Sequence, residues 1–490
     1  MTQWQATRLG AAAVAGCLLC VVLVGRSRGI VVGRYPLLAV LVAWTGLAWL
    51  AAAGLSRSRG TRGSAVLAVA AILLGVALTS GPQLSDDLYR YLWDGEVAAA
   101  GIDPYAHAPD APELARLREP FLWPDATGCT TLRADLPRHA RADPWAGFGK
   151  RPGCSLINRA NVRTIYPPAA QIGFRTAVLL TPRSLHELRA QLPAALCSLA
   201  LTGLLVGLLR RSGRSPWWAL LYAASPLAAV EAAMDAHVDV LGALVGVAAL
   251  AALADRERRA RAAALTGVLV AVATLVKLYP AALGVVALPR LGLLSRRTAV
   301  FVAAGALTVA ALYAPHVAAV GAQVLGYLPG YLAENGYDTG GRYAVLSALH
   351  VPGAVSGLLV AAGLLGLVVW SLRTPFRVGD VPELAGRAAT VFGVAFLLVT
   401  PGNPWYCSLL VACAALSQRP EWLGVVVANA TVYVVFELQG NRLVPAAAYV
   451  AAAALVAVAA RRRQGSMTCS SLPLSPATTT RPEIGATVTE

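Results

Sequence analysis

The sequence predicts an all-α polytopic membrane protein, a bundle of about 12–14 transmembrane helices with one large polar loop near its start. Three observations carry that expectation. Of 490 residues, 57% are hydrophobic and only 13% charged, about half the charged share of a soluble domain. Apolar runs near the ~20 residues a bilayer requires recur along the chain. The basic residues sit in short clusters between those runs, as membrane topology dictates. The net charge of +16 therefore reads as an orientation signal, and nucleic acid is excluded as a partner.

In order, candidate spans cover about 9–25, 35–55 and 64–80. Val14-Ala15-Gly16-Cys17 has the form of a lipoprotein cleavage box, but the apolar run continues to Gly25 and reads as an uncleaved span. A polar segment follows, then a short apolar stretch at 167–182 expected to be re-entrant or interfacial. Further spans fall at about 188–209, 216–234, 238–254, 263–289, 298–319, 351–372, 384–400, 404–417, 421–437 and 443–460, with 263–289 broken near Tyr279-Pro280. The expected organisation is N-terminal transmembrane helices at 1–80, an extracytoplasmic loop with interfacial helices at 81–166, the transmembrane bundle at 167–463 and a Ser/Thr/Pro-rich disordered cytoplasmic tail at 464–490.

Placing the Arg clusters at 210–214, 256–261, 290–297, 373–377 and 461–463 inside gives a consistent topology. Arg26, Arg28 and Arg34 then lie outside, against the rule. The outer face receives nearly every other polar residue of interest: Ser85–Asp110, Tyr166-Pro167-Pro168, Asp235 to Asp239, Lys277 to Pro280, Tyr337 to Tyr343, Pro401 to Tyr406, and Glu437 to Arg442. None of these set the topology, so their convergence independently marks a site.

The Ser85–Asp110 stretch is the centre of it. Asp86, Asp87, Asp94, Glu96 and Asp103 lie close together with Tyr89, Tyr91, Trp93 and Tyr105. Ionised carboxylates at the edge of a membrane are costly, and two side by side more so. A helix from Ser85 or Asp86 to about Ala100 is expected, stopped by Gly101 and turned by Asp103-Pro104. It puts Asp87, Tyr91 and Asp94 on one face, and Asp86 with Arg90 on the next. Asp86 is thus expected to pair with Arg90, leaving Asp87 free to take a proton. Only two lysines occur, Lys150 and Lys277, in a composition that otherwise uses Arg. Lys277, inside an apolar segment, stands out. Cys129 and Cys154 share the polar loop, on an oxidising side, and are expected to form a disulfide. No metal-ligand spacing and no cofactor motif appears.

Asp86-Asp87-Leu88-Tyr89-Arg90-Tyr91 just after a span, Gly101-Ile102-Asp103-Pro104-Tyr105, Ile165-Tyr166-Pro167-Pro168 and Lys277-Leu278-Tyr279-Pro280 together resemble GT-C membrane glycosyltransferases. The resemblance is to glycosyltransferase family 87 and the actinobacterial polyprenol-phosphate-mannose-dependent mannosyltransferases, over about residues 60 to 420. It implies a GT-C-like bundle in a bacterial plasma membrane, a polyprenyl-phosphate donor usually carrying mannose, a glycan or glycolipid acceptor, and inverting transfer with a catalytic Asp in this loop. Two spans precede the one feeding the loop, where many GT-C enzymes have one.

Inverting transfer needs a base for the acceptor hydroxyl and positive charge for the leaving phosphate. Asp87 matches the family's Asp, with Tyr91 four residues on; Asp86 is second. Lys277 and Arg342 are candidates for the donor phosphate. Tyr91, Asp94, Tyr105, Tyr166, His237, Asp239 and Asn403 are candidates for sugar or acceptor hydroxyls, and Trp405 or Tyr406 for stacking on a sugar face. Bland readings compete. Lys277 could snorkel, Trp405 and Tyr406 could be belt residues, and Asp235 to Asp239 could be a solvated turn. The rival function is a transporter or flippase of a lipid-linked sugar. That reading expects internal repeats with polar residues mid-span, and neither is evident.

Overall fold

The computed structural model describes residues 2–27, 29–58, 63–123, 155–255, 259–436 and 442–469. Among them the chain is helical and forms no strand. Three helices open it, α1 (Gln3–Gly25), α2 (Gly29–Leu55) and α3 (Gly63–Ala77). Two amphipathic helices follow, α4 (Asp87–Ala99) and α5 (Pro168–Leu180). The rest of the bundle is α6 (Leu188–Arg211), α7 (Asp239–Ala254), α8 (Arg259–Val276), α9 (Leu283–Leu291), α10 (Arg296–Val320), α11 (Gly353–Arg373), α12 (Val381–Val399), α13 (Cys407–Ser417), α14 (Leu423–Thr431) and α15 (Leu443–Cys469). Among the described residues, seven helices are long and apolar enough to cross a membrane, and six more are apolar but shorter.

Small residues let the helices approach closely, as packing in lipid favours. A Cβ on Gly54 of α2 would stand 2.6 Å from the Ala6 carbonyl oxygen of α1. One on Gly267 of α8 would stand 2.2 Å from the Phe301 carbonyl oxygen of α10. The span expected at 216–234 is broken into a 3-10 turn, a short helical turn and a π-helix at Leu227–Met234. At the break, Trp44 of α2 donates its indole N–H to the Ala224 carbonyl, 2.7 Å. The expected break near Tyr279-Pro280 is present: α8 ends at Val276, a 3-10 turn covers Tyr279–Ala282, and α9 resumes.

The two ends of the bundle differ in chemistry. At one, α1 closes beside the polar loop, where Ser27 Oγ donates to Gln83 Oε1. At the other, Gly63 packs near Arg210, Arg290 and Arg297 line one recess with Asp255, and Arg463 pairs with Glu421. The helix expected to stop before Gln464 continues to Cys469, because nothing but Gly465 interrupts it. Cys129 and Cys154 lie outside the described residues.

Candidate active site

α4 starts at Asp87 because the Ser85 hydroxyl accepts the Asp87 N–H, 3.2 Å, with Asp86 at the N-cap position. The strand of chain leading into it is tied to the bundle. Asp235 accepts the N–H groups of Gln83 (2.7 Å) and Leu84 (3.2 Å), and Tyr433 donates to the Leu84 carbonyl, 2.6 Å. α4 lies flush on α5 through Gly95, where a Cβ would meet the Phe174 carbonyl oxygen at 2.6 Å. Glu96 further along α4 pairs with Arg189 (2.5 Å) and Arg183 (2.7 Å). Burial pushes the Glu96 carboxyl up, but the Arg183 and Arg189 guanidiniums outweigh it and hold the group below its ordinary value.

Asp87 faces a narrow cleft with about 50 Å³ of enclosed space. Its other walls include Asn158, Arg159, Tyr166, Lys277, Tyr331, Asn403, Trp405 and Tyr406. The Asn158 amide donates to both neighbouring carboxylates, to Asp87 Oδ1 at 2.5 Å and Asp86 Oδ1 at 3.0 Å. Tyr166 donates its hydroxyl to Asp87 Oδ2, 3.1 Å. That ring is held by Tyr91 and Phe174, at centroid distances of 5.0 and 5.4 Å. Asp87 keeps 18% of its side chain exposed, toward the cleft.

Lys277 follows the end of α8 and brings a cation to the same cleft. Its Nζ lies 3.5 Å from Asp239 Oδ2 and over the rings of Tyr166 and Tyr406, at 5.0 and 5.2 Å. Asn403 donates to Tyr331 Oη (3.1 Å), which in turn meets Tyr406 Oη at 3.1 Å. Arg159 holds a left-handed backbone, φ 46°, fixed by its paired bonds to Glu334. Strain of this kind collects at functional sites.

Several sequence expectations need correction. Arg90 does not pair with Asp86; it bonds Asp94 on its own helix, 2.9 Å, and the carbonyls of Arg159 and Val162. Asp86 and Asp94 both lie four residues from Arg90; the bonds to the Arg159 and Val162 carbonyls turn its guanidinium toward Asp94, and Asp86 is held by Asn158 instead. Asp94 is buried between Arg90 and Gln171, so it braces the loop and presents nothing to a sugar. Tyr105 is likewise buried, its hydroxyl on the Tyr166 carbonyl, 2.6 Å. Tyr91, His237 and Asp239 stand behind the cleft wall. Arg342 is buried near Tyr337 and does not line the cleft. Asp87, Tyr166, Lys277, Asn403 and Trp405 do come together there.

The sequence reading missed Asn158, Tyr331 and Glu231. Asn158 and Tyr331 carry no local signal. Glu231 did: it is a lone carboxylate inside an apolar run, and the structure places it in the π-helix, 2% exposed. Metal chemistry was not expected, yet donor atoms of Glu231, Asp235 and His237 lie within 4.8 Å of one another. Asp235 is committed to the N–H groups of Gln83 and Leu84, so this trio does not fit a cation well.

Two family models match the chain. Residues 6–128 match "Alpha-(1->6)-mannopyranosyltransferase, N-terminal domain", and residues 165–401 match "Glycosyltransferase family 87". No curated protein and no solved structure matches.

Proposed function

We propose that this chain, a membrane glycosyltransferase of the family-87, mannosyltransferase-like kind, moves mannose from a polyprenyl-phosphate donor to a glycan or glycolipid hydroxyl by inverting transfer. The observation that carries the reading is the facing of Asp87 and Lys277 across one cleft. Asp87 is the base. The acceptor oxygen attacks the anomeric carbon from the face opposite the phosphate, its proton passes to an Asp87 oxygen, and the bond from that carbon to the phosphate oxygen breaks. The phosphate leaves with the added charge, so it needs a cation rather than an acid. Lys277, a point charge framed by two aromatic rings, supplies it; Arg342 is set too far back.

The donor lipid lies in the bilayer, with the cleft on the extracytoplasmic face of a bacterial plasma membrane. Support for that orientation is the concentration of Arg at the bundle end away from the cleft. The mannopyranosyl name of the matched N-terminal model favours mannose. The test is purified protein in lipid discs, given labelled polyprenyl-phosphate mannose and a mannan-type acceptor. Transfer by the wild type and none by Asp87→Asn, with donor still bound, supports the reading. Movement of lipid-linked sugar across vesicles without any transfer would replace it with the flippase.

A further inference from the structure

The cleft explains what takes the acceptor's proton, but not what steadies it on Asp87. Asn158 and Tyr166 are donors to Asp87; both favour the carboxylate and neither accepts a proton. Behind Asp87 lies His237, 1% exposed, with Nε2 4.0 Å from Asp87 Oδ2 and Nδ1 3.1 Å from Glu231 Oε2. Its ring stacks on Trp405 at 3.8 Å and 16°. Ala236 before it takes a left-handed backbone, φ 53°, and the His237 N–H closes on the Glu231 carbonyl, 2.8 Å. The ring is thus fixed on three sides between two carboxylates.

Resting on the assignment of Asp87 as base, we propose that His237 and Glu231 are positioning residues that steady the proton Asp87 acquires, His237 by accepting a hydrogen bond from the protonated carboxyl. Glu231 Oε2 stands 3.1 Å from Nδ1 without an aligned hydrogen bond; a small turn of the ring would set hydrogen on Nδ1 toward it and the Nε2 lone pair toward Asp87. Lone pair and carboxylate repel, which accounts for a separation too long for a hydrogen bond. When Asp87 takes the acceptor proton, its O–H donates to Nε2 and the gap closes. No further group is consumed: the proton leaves to water through the cleft once product departs. The titratable groups around the ring are Asp86 and Asp87 at the start of α4, Glu231 and Asp235 on and after the π-helix, and Asp239 with its partner Lys277. Lys277 bonds away from the ring to Asp239, leaving Glu231 as the partner of Nδ1.

The test measures transfer, donor affinity and the pH dependence of kcat. His237→Phe keeps the stack on Trp405 but removes the acceptor. It should lower kcat about 2- to 10-fold, the range of a hydrogen bond between neutral groups, leave donor Kd unchanged, and move the acid limb of the profile to lower pH. Glu231→Gln retains an oxygen for Nδ1–H and should stay close to wild type, while Glu231→Leu should match His237→Phe. The double variant His237→Phe/Glu231→Leu, which leaves no buried charge alone, should fold well and be no slower than either. Normal kcat in His237→Phe overturns the proposal, as does an acid limb moving upward, which would make His237 a cation. A stoichiometric divalent metal lost in Glu231→Leu, with chelator-sensitive activity, overturns it in favour of a metal site. Absence of transfer by the wild type would instead refute the reaction itself.

Discussion

Asn158 offers the sharpest perturbation, because one amide nitrogen holds two adjacent carboxylates, at 3.0 Å from Asp86 and 2.5 Å from Asp87. Each is a bond to a charged group, worth about 1.5–3 kcal/mol when both partners are otherwise shielded from water. Asp87 is partly open to the cleft, so water replaces some of the loss there; Asp86 is 9% exposed and recovers less. The net cost of Asn158→Ala to the aligned base is then about 1.5–3 kcal/mol, or roughly 10- to 150-fold in kcat/KM at 1.36 kcal/mol per decade. Asn158→Asp adds a third carboxylate within hydrogen-bond reach of the first two and should be slower still at neutral pH, with partial recovery as the pH is lowered. The assay is initial-rate transfer from polyprenyl-phosphate mannose in lipid discs, with donor affinity measured separately. Asn158→Ala within twofold of wild type would refute the idea that this amide sets the base. A fall in donor affinity equal to the fall in rate would move Asn158 to the donor site.

Asp87→Asn should abolish transfer while Asp86→Asn leaves a measurable rate, since only Asp87 reaches the cleft; the reverse ranking in the same assay would make Asp86 the base. Lys277→Ala should weaken donor binding at least tenfold, and Lys277→Arg should restore only part, because a planar fork replaces a point charge between two rings; equal Kd values by ligand-binding titration would sink the phosphate role. Glu96 has a lowered folded pKa, so its contribution to stability is complete above pH 4.5 and is lost as pH falls through the folded value. Glu96→Gln should therefore unfold at lower temperature than wild type at pH 7, by leaving the buried Arg189 only the longer Glu119 pair at 3.7 Å and the Val178 carbonyl, and the gap should close in melts taken near pH 3; a gap that persists there would argue against the ion pair. Cys129 and Cys154 should resist alkylation in intact cells until a reductant is added, and prompt labelling of both would exclude their disulfide.

The bundle was legible because apolar runs recur along the chain, seven of the described helices being of bilayer length, and many helix ends fall where Pro, Gly or an Arg cluster ends the run. The interruption of 263–289 could be read from Tyr279-Pro280 and is found there. The cleft was legible in part. Asp87, Lys277 and Asn403 announce themselves as polar residues bordering apolar runs, and they do converge. Asn158 does not, because its role depends on a loop 71 residues along the chain folding back over α4. Arg90 was misassigned because helix spacing allows it either neighbour, and the tertiary bonds to Arg159 and Val162 decide in favour of Asp94. Asp94 and Tyr105 illustrate the same limit. A polar residue beside a catalytic one can be bracing rather than contacting, and only packing distinguishes the two.

Several of the residues that line or back the cleft share a second property, which is that they stand where helices stop. Asp87 begins α4 after α3 has ended; His237 and Asp239 follow the π-helix; Lys277 sits between α8 and α9; Asn403 and Trp405 lie between α12 and α13. Each stop leaves backbone groups outside the helical ladder, and within a membrane protein such backbone persists only where protein buries it or a polar cavity takes it. The structure meets that condition with side chains: Asp235 takes the N–H groups of Gln83 and Leu84, Tyr433 the Leu84 carbonyl, and Tyr449 the Pro401 carbonyl at 2.8 Å. Two stops also carry left-handed residues other than glycine, Ala236 and Thr400, and Thr400 Oγ1 in turn accepts the Ala344 N–H. Backbone held in this way at the stops is what lets short side chains keep Asp87, His237 and Lys277 at fixed separations. It follows that substitutions softening a stop, such as Asp235→Ala, should lower transfer through misplacement of Asp87 even though Asp235 does not line the cleft.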